Sequence, residues 1–207
     1  IKIWEENNCK GILEHATGSG KTFTALNALK RTFDKTGCIA VVGVPYIPLA
    51  EQWSDEISSF LEKSDIESFN IVECWSGNLN WHVKIGEELL DRHFKNREKK
   101  KHLSIFVVVN KSLEQKFYKS YEEQLFDMEN CLMIGDECHR YTSPNLLNKL
   151  PNCKYRLGLS ATPIVNKEEI RENENKMLNW FEGICHEFSL EDAINSTPQY
   201  LCNYNYF

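Results

Sequence analysis

Two short segments carry residue types that could act on one ligand. The first is ATGSGKT: Ala16, Thr17, Gly18, Ser19, Gly20, Lys21 and Thr22. Gly18 and Gly20 can take backbone angles that other residues avoid, and they let a ligand approach the main chain. Successive N–H groups of such a turn, at the positive end of a following helix, suit phosphate oxygens. Lys21 would reach the outer phosphates and the Thr22 hydroxyl would ligate Mg2+. The second segment is DECH, from Asp136 to His139. There Asp136 can hold the metal, and Glu137 stands where a general base could aim a water. Each segment alone has a plain explanation: a glycine-rich turn with a chance lysine, or an acidic pair in a solvated turn or helix cap. Found together, they point to a nucleoside triphosphate as substrate and Mg2+ as cofactor.

For the two to meet, the chain must bring them to one place. GILEH (11–15) reads as a buried strand that ends at the glycine turn, and KTFTALNALKRTF (21–33) as a helix with Phe23, Leu26, Leu29 and Phe33 at helical spacing. Further strands are expected at 38–44, 69–74, 103–109, 131–135, 155–160, 184–188 and 200–207. Helices are expected at 48–63, about 78–101, 111–126, 145–150 and 167–181. Strands separated by helices imply an α/β fold with a mostly parallel central sheet covered by helices on both faces. In such a sheet ligands gather beyond the carboxyl ends of the strands. Asp136 follows an apolar strand directly, so it should emerge at the same edge as the glycine turn. The strict phosphate-loop pattern has glycine at position 15, where this chain has His15.

The chain has 207 residues, is 42% hydrophobic and 26% charged, and carries a net charge of −6. One domain over 1–207 is the economical reading. No apolar run is long enough for a membrane helix. The charge does not suggest a freestanding nucleic-acid-binding domain, although local patches matter more than the sum. The eight cysteines form no Cys-x-x-Cys pair and suit reduced, buried thiols in a cytoplasmic protein.

Four ordered segments resemble a known family. ATGSGKT, DECH and SATP (160–163) resemble motifs I, II and III of superfamily two helicases, and VPYIPLAEQW (44–53) resembles their motif Ia. The last third is most similar to DEAD/DEAH helicase-type subunits of bacterial restriction and DNA repair systems. The resemblance implies a RecA-like P-loop lobe. It assigns Lys21 and Thr22 to triphosphate and Mg2+, Asp136 to the metal and Glu137 to water activation. His139 would relay nucleotide state to the Ser160 and Thr162 turn, and Pro45, Gln52 and Asn110 fall in segments that contact a nucleic-acid strand, DNA rather than RNA. No second-lobe motif follows residue 163. The partner lobe's arginine finger, worth about 10³ to 10⁵ in rate, is therefore expected elsewhere, and this lobe alone should be nearly inactive. Two other readings stay open: a nucleotide-gated switch that moves no strand, and the motor subunit of a restriction or defence nuclease.

The remaining signals are weaker. The basic run Arg92, Lys95, Arg97, Lys99, Lys100 and Lys101 could touch phosphates but reads as a solvated helix face. Packing accounts for Trp53, Trp75, Trp81 and Trp180. Trp75 and Trp81, which bracket SGNLN, are the best placed of the four to be exposed and to stack on bases.

Overall fold

The structure, a computed structural model, describes residues 1–123, 126–165 and 168–195; the strand expected over 200–207 lies outside the described residues. Seven strands form one sheet: β1 (Lys10–His15), β2 (Ile39–Val44), β3 (Phe69–Cys74), β4 (Leu103–Val109), β5 (Cys131–Asp136), β6 (Tyr155–Ser160) and β7 (Ile184–Phe188). Their spatial order is β3-β4-β2-β5-β6-β1-β7, and every pairing is parallel. Strands β2, β4 and β5 are buried at every residue. That is why they read as continuous apolar runs in the sequence, without alternation.

Helices cover both faces. On one face α2 (Lys21–Thr36) and α3 (Ile47–Leu61) pack Leu26, Leu29, Phe33, Trp53 and Ile57 against Val42, Ile105 and Leu132. The short α1 (Lys2–Glu6) adds Trp4, whose indole N–H donates to the Arg156 carbonyl. On the other face lie α4 (Trp81–Arg97), α5 (Asn110–Ser112), which continues through a π turn (Leu113–Phe117) into α6 (Tyr118–Glu123), then α7 (Pro144–Leu147) and α8 (Glu172–Phe181). These bury Ile85, Phe117 and Phe181 against Val41, Phe106 and Met133. A final helix, α9 (Leu190–Asn195), follows β7. No helix among the described residues is long and apolar enough to cross a membrane.

A row of glycines runs across the sheet. Gly43 pairs with Gly135, and Gly135 with Gly158. A Cβ on Gly135 would come within 2.9 Å of the Tyr141 ring and 2.8 Å of Phe181, and one on Gly158 within 3.1 Å of the Cys138 thiol. The missing side chains let the segment after Asp136 fold back onto the sheet, with Tyr141 fully buried. The sheet therefore fixes the position of the DECH segment as well as its starting point.

Two sequence expectations are corrected here. Trp75 and Trp81 are buried, 5% and 6% exposed, so neither offers a face to a base. Trp81 opens α4 on its inner side and packs near Phe117, with ring centroids 6.4 Å apart. Arg92 is likewise buried, and its guanidinium donates to the carbonyls of His102 and Gly37. Elsewhere in the run Lys95 pairs with Asp91 at 2.6 Å and Lys100 with Glu98 at 2.8 Å, and Lys101 donates to the Asp34 carbonyl at 2.8 Å.

Candidate active site

The carboxyl ends of β1 and β5 flank that of β6, so the glycine turn and the acidic pair emerge at one sheet edge with the Ser160 turn between them. Gly18 and Gly20 both have positive φ, 80° and 83°, and Gly20 caps the start of α2 in the left-handed region. Residues with a Cβ adopt that conformation at a cost, which explains the glycines. The Lys21 ammonium donates to the carbonyls of His15 at 3.0 Å and Ala16 at 3.2 Å. Burial lowers its pKa, while the charges of Glu137 and Asp136 pull the other way. The two chain-distant segments thus share one electrostatic neighbourhood. The Ser19 hydroxyl is buried without a hydrogen-bond partner among the described residues, a polar atom of the turn left for a ligand to satisfy.

Asp136 is the last residue of β5 and is 7% exposed. Its Oδ2 accepts the indole N–H of Trp53 at 2.8 Å, and its Oδ1 accepts the backbone N–H of Glu137 at 2.9 Å. Burial raises its pKa, and those two donors oppose the rise. Glu137 sits at φ 46° and ψ 48°, a left-handed conformation that costs a non-glycine residue about 1–3 kcal/mol. Such backbone strain is found preferentially at functional positions.

From Glu137 a chain of contacts runs toward β6. His139 Nδ1 lies 3.3 Å from Glu137 Oε2 and 3.0 Å from Ser160 Oγ, and Ser160 Oγ accepts the backbone N–H of Thr162 at 3.1 Å. Burial lowers the His139 pKa, with Glu137 opposing. These four residues, read from separate motifs, are brought into contact. Pro45 follows β2, and Asn110 directly follows β4 at the same edge. The Asn110 amide oxygen is buried without a partner among the described residues. Gln52 is exposed, and its amide donates to Glu56 of its own helix at 2.6 Å.

Sequence reasoning missed three contacts at this edge. Trp53 touches Asp136, whereas the sequence marked it only as a packing residue. The Arg140 guanidinium lies 5.0 Å from the ring centre of Tyr46. His15 Nε2 lies 2.9 Å from His186 Nδ1. Burial, with His186 and Lys21 adding to it, lowers the His15 pKa to about 4. Beside the turn a concavity is lined by Ala16, Thr17, Ala161, Phe188, Ser189 and Leu190.

The donors present suit the groups that the motifs imply. The Asp136 carboxylate and the Thr22 hydroxyl are hard oxygen ligands appropriate to Mg2+, and the orphan Ser19 hydroxyl and the glycine turn suit a phosphate chain.

This placement on an all-parallel sheet is that of a RecA-like lobe of the superfamily two helicase type. The sequence match is of the same kind: a family model described as "Type III restriction enzyme, res subunit" matches residues 1–165, and the chain belongs to that family. Among solved structures, the Hef helicase domain of Pyrococcus furiosus aligns with a TM-score of 0.61 at 17% identity, covering 96% of this chain and 38% of that one. The type ISP restriction-modification enzyme LlaBIII, bound to DNA, aligns with a TM-score of 0.66 at 19% identity, covering 92% and 14%. The helicase MrfA, bound to DNA and AMPPNP, aligns with a TM-score of 0.61 at 16% identity, covering 92% and 26%. At these identities the likeness is one of fold, and the chain spans well under two thirds of each of those proteins. No curated protein sequence matches it.

Proposed function

We propose that this chain is the ATP-binding lobe of an ATP-dependent DNA translocase or helicase of the restriction type. The observation that carries the reading is the convergence of the Lys21 turn with Asp136 and Glu137 at one sheet edge, with His139 joining Glu137 to Ser160. In this reading the turn from Ala16 to Gly20 wraps the phosphates. Lys21 leaves the His15 and Ala16 carbonyls for the outer phosphate oxygens. Thr22 and Asp136 would hold Mg2+, which would supply positive charge to offset that of the phosphates. Glu137 orients a water and takes its proton. His139 registers the state of Glu137 and passes it to Ser160 and Thr162, while Pro45, Gln52 and Asn110 face the strand. A second RecA-like lobe would close the site and contribute the arginine.

The family match and the likeness to LlaBIII favour a motor tied to restriction, and the LlaBIII and MrfA complexes, which hold DNA, favour DNA over RNA. The test is ATP hydrolysis by the intact protein alone, with duplex DNA, with single-stranded DNA and with RNA. Stimulation several-fold by DNA is expected. Turnover indifferent to every nucleic acid would refute the motor and leave a nucleotide-gated switch.

A further inference from the structure

We infer that Trp53 is a positioning residue for the metal-binding carboxylate: its indole N–H fixes the plane of Asp136, and so the oxygen that the carboxylate offers to a divalent cation. The inference rests on the proposed function of the same site. An indole has one donor and no acceptor, so a buried Trp53 needs a partner for a single N–H. It finds that partner 83 residues away in the sequence, on Asp136 Oδ2 at 2.8 Å. Trp53 is 1% exposed, which shields the bond from competing water.

The second oxygen, Oδ1, is held by the Glu137 amide at 2.9 Å. With a donor on each oxygen, from two different elements, the carboxylate cannot rotate about χ2 without losing a bond. Each carboxylate oxygen can accept more than one bond, so acceptor capacity remains for a cation. Trp53 belongs to the same apolar core cluster as Ala50, Ile57, Val44 and Val107, where a purely apolar ring would suffice for burial. The N–H is what tryptophan adds.

The experiment titrates the intact protein with ADP by calorimetry, once in EDTA and once in MgCl2. The ratio of the two dissociation constants measures what the cation adds to binding. Trp53→Phe should cut that ratio about ten-fold, the worth of a hydrogen bond to a charged group, while the EDTA value stays within two-fold of the wild type. Replacing Trp53 with benzothienylalanine, which keeps the bicyclic shape and exchanges the N–H for sulfur, should reproduce the effect and exclude a packing cause. A loss spread equally over both titrations, or a ratio unchanged in both variants, would overturn the inference and leave the nucleotide site standing. Failure of the wild type to bind ADP in either buffer would overturn the site and the inference together.

Discussion

The two edges of the sheet hold polar clusters of opposite character. At the amino edge Glu88 of α4 accepts from His102, Ser104 and Asn70, and His102 Nδ1 meets Ser68 at 2.7 Å. Arg92 then ties the His102 carbonyl to Gly37. Glu88 and His102 are buried and their polar atoms are spent on one another. At the carboxyl edge Ser19 and Asn110 keep buried atoms without partners among the described residues, Glu137 holds a strained backbone, and Lys21 donates to main-chain carbonyls. The acid–base content is similar. A saturated network stabilises the fold, whereas an unsaturated and strained one keeps capacity for a ligand. The contrast matters because Glu88, Asp91 and His102 also lie close enough to hold a metal. The hydrogen bonds that Glu88 and His102 make with each other and with their neighbours, and the pairing of Asp91 with Lys95, argue that they serve structure.

Substitutions can break this contrast. The largest effect is expected from Glu137→Gln in the intact protein, which should slow hydrolysis by about 10²–10⁴-fold while ATP stays bound; single-turnover kinetics with a binding titration would check both halves, and normal turnover would remove Glu137 from its role. At the opposite edge Glu88→Ala should leave ADP affinity unchanged and cost about 3 kcal/mol, the usual penalty for breaking a buried pair. For a domain of this size that lowers the melting temperature by roughly 6–12 °C; a thermally unaffected variant that no longer binds ADP would reverse the assignment of the two edges. Lys21→Ala should weaken ATP binding about 10–100-fold through loss of a charged hydrogen bond, without comparable loss of melting temperature.

The smallest effect concerns His15. Its folded pKa of about 4 lies below the ordinary value of 6.5, so between those pH values the unfolded chain binds more protons. Stability should therefore rise with pH across that window and level off above it. His15→Gly, which restores the strict loop pattern, should flatten the slope in chemical denaturation at pH 4.5, 5.5 and 7. An unchanged slope would assign it to another group.

Much of this was legible in the sequence, for physical reasons. The strands 69–74, 103–109, 155–160 and 184–188 match their expected bounds; of these β4 is buried throughout and reads as a plain apolar run, while the edge strands β3 and β7 are partly exposed. The expected helix at 111–126 is interrupted by the π turn at Leu113–Phe117, and helical periodicity does not distinguish the two. The helix expected from 167 begins at Glu172, where the Glu174 carboxylate accepts the Arg171 N–H at 2.9 Å and sets the start. The helices Lys2–Glu6 and Leu190–Asn195 are too short to show a period. The motif residues were nominated as candidates because local spacing carries their chemistry. Trp53 against Asp136, His15 against His186 and the glycine row beneath Tyr141 were not, since each joins positions that only strand order brings together. Trp75 and Trp81 misled because Gly77, Asn78 and Asn80 mark a turn, and a turn says nothing about which way its flanking rings face.

The central claim is that residues 16–22 and 136–137 surround one metal–nucleotide complex. Metal-directed cleavage tests it directly: Fe2+ replaces Mg2+ with ATP bound to the intact Glu137→Gln protein, ascorbate and peroxide are added, and the backbone cuts are mapped by mass spectrometry. The account predicts ATP-dependent cuts near both Thr22 and Asp136, suppressed together by excess Mg2+. Cuts at only one of these segments, or clustered around Glu88 and His102 at the far edge, would contradict it.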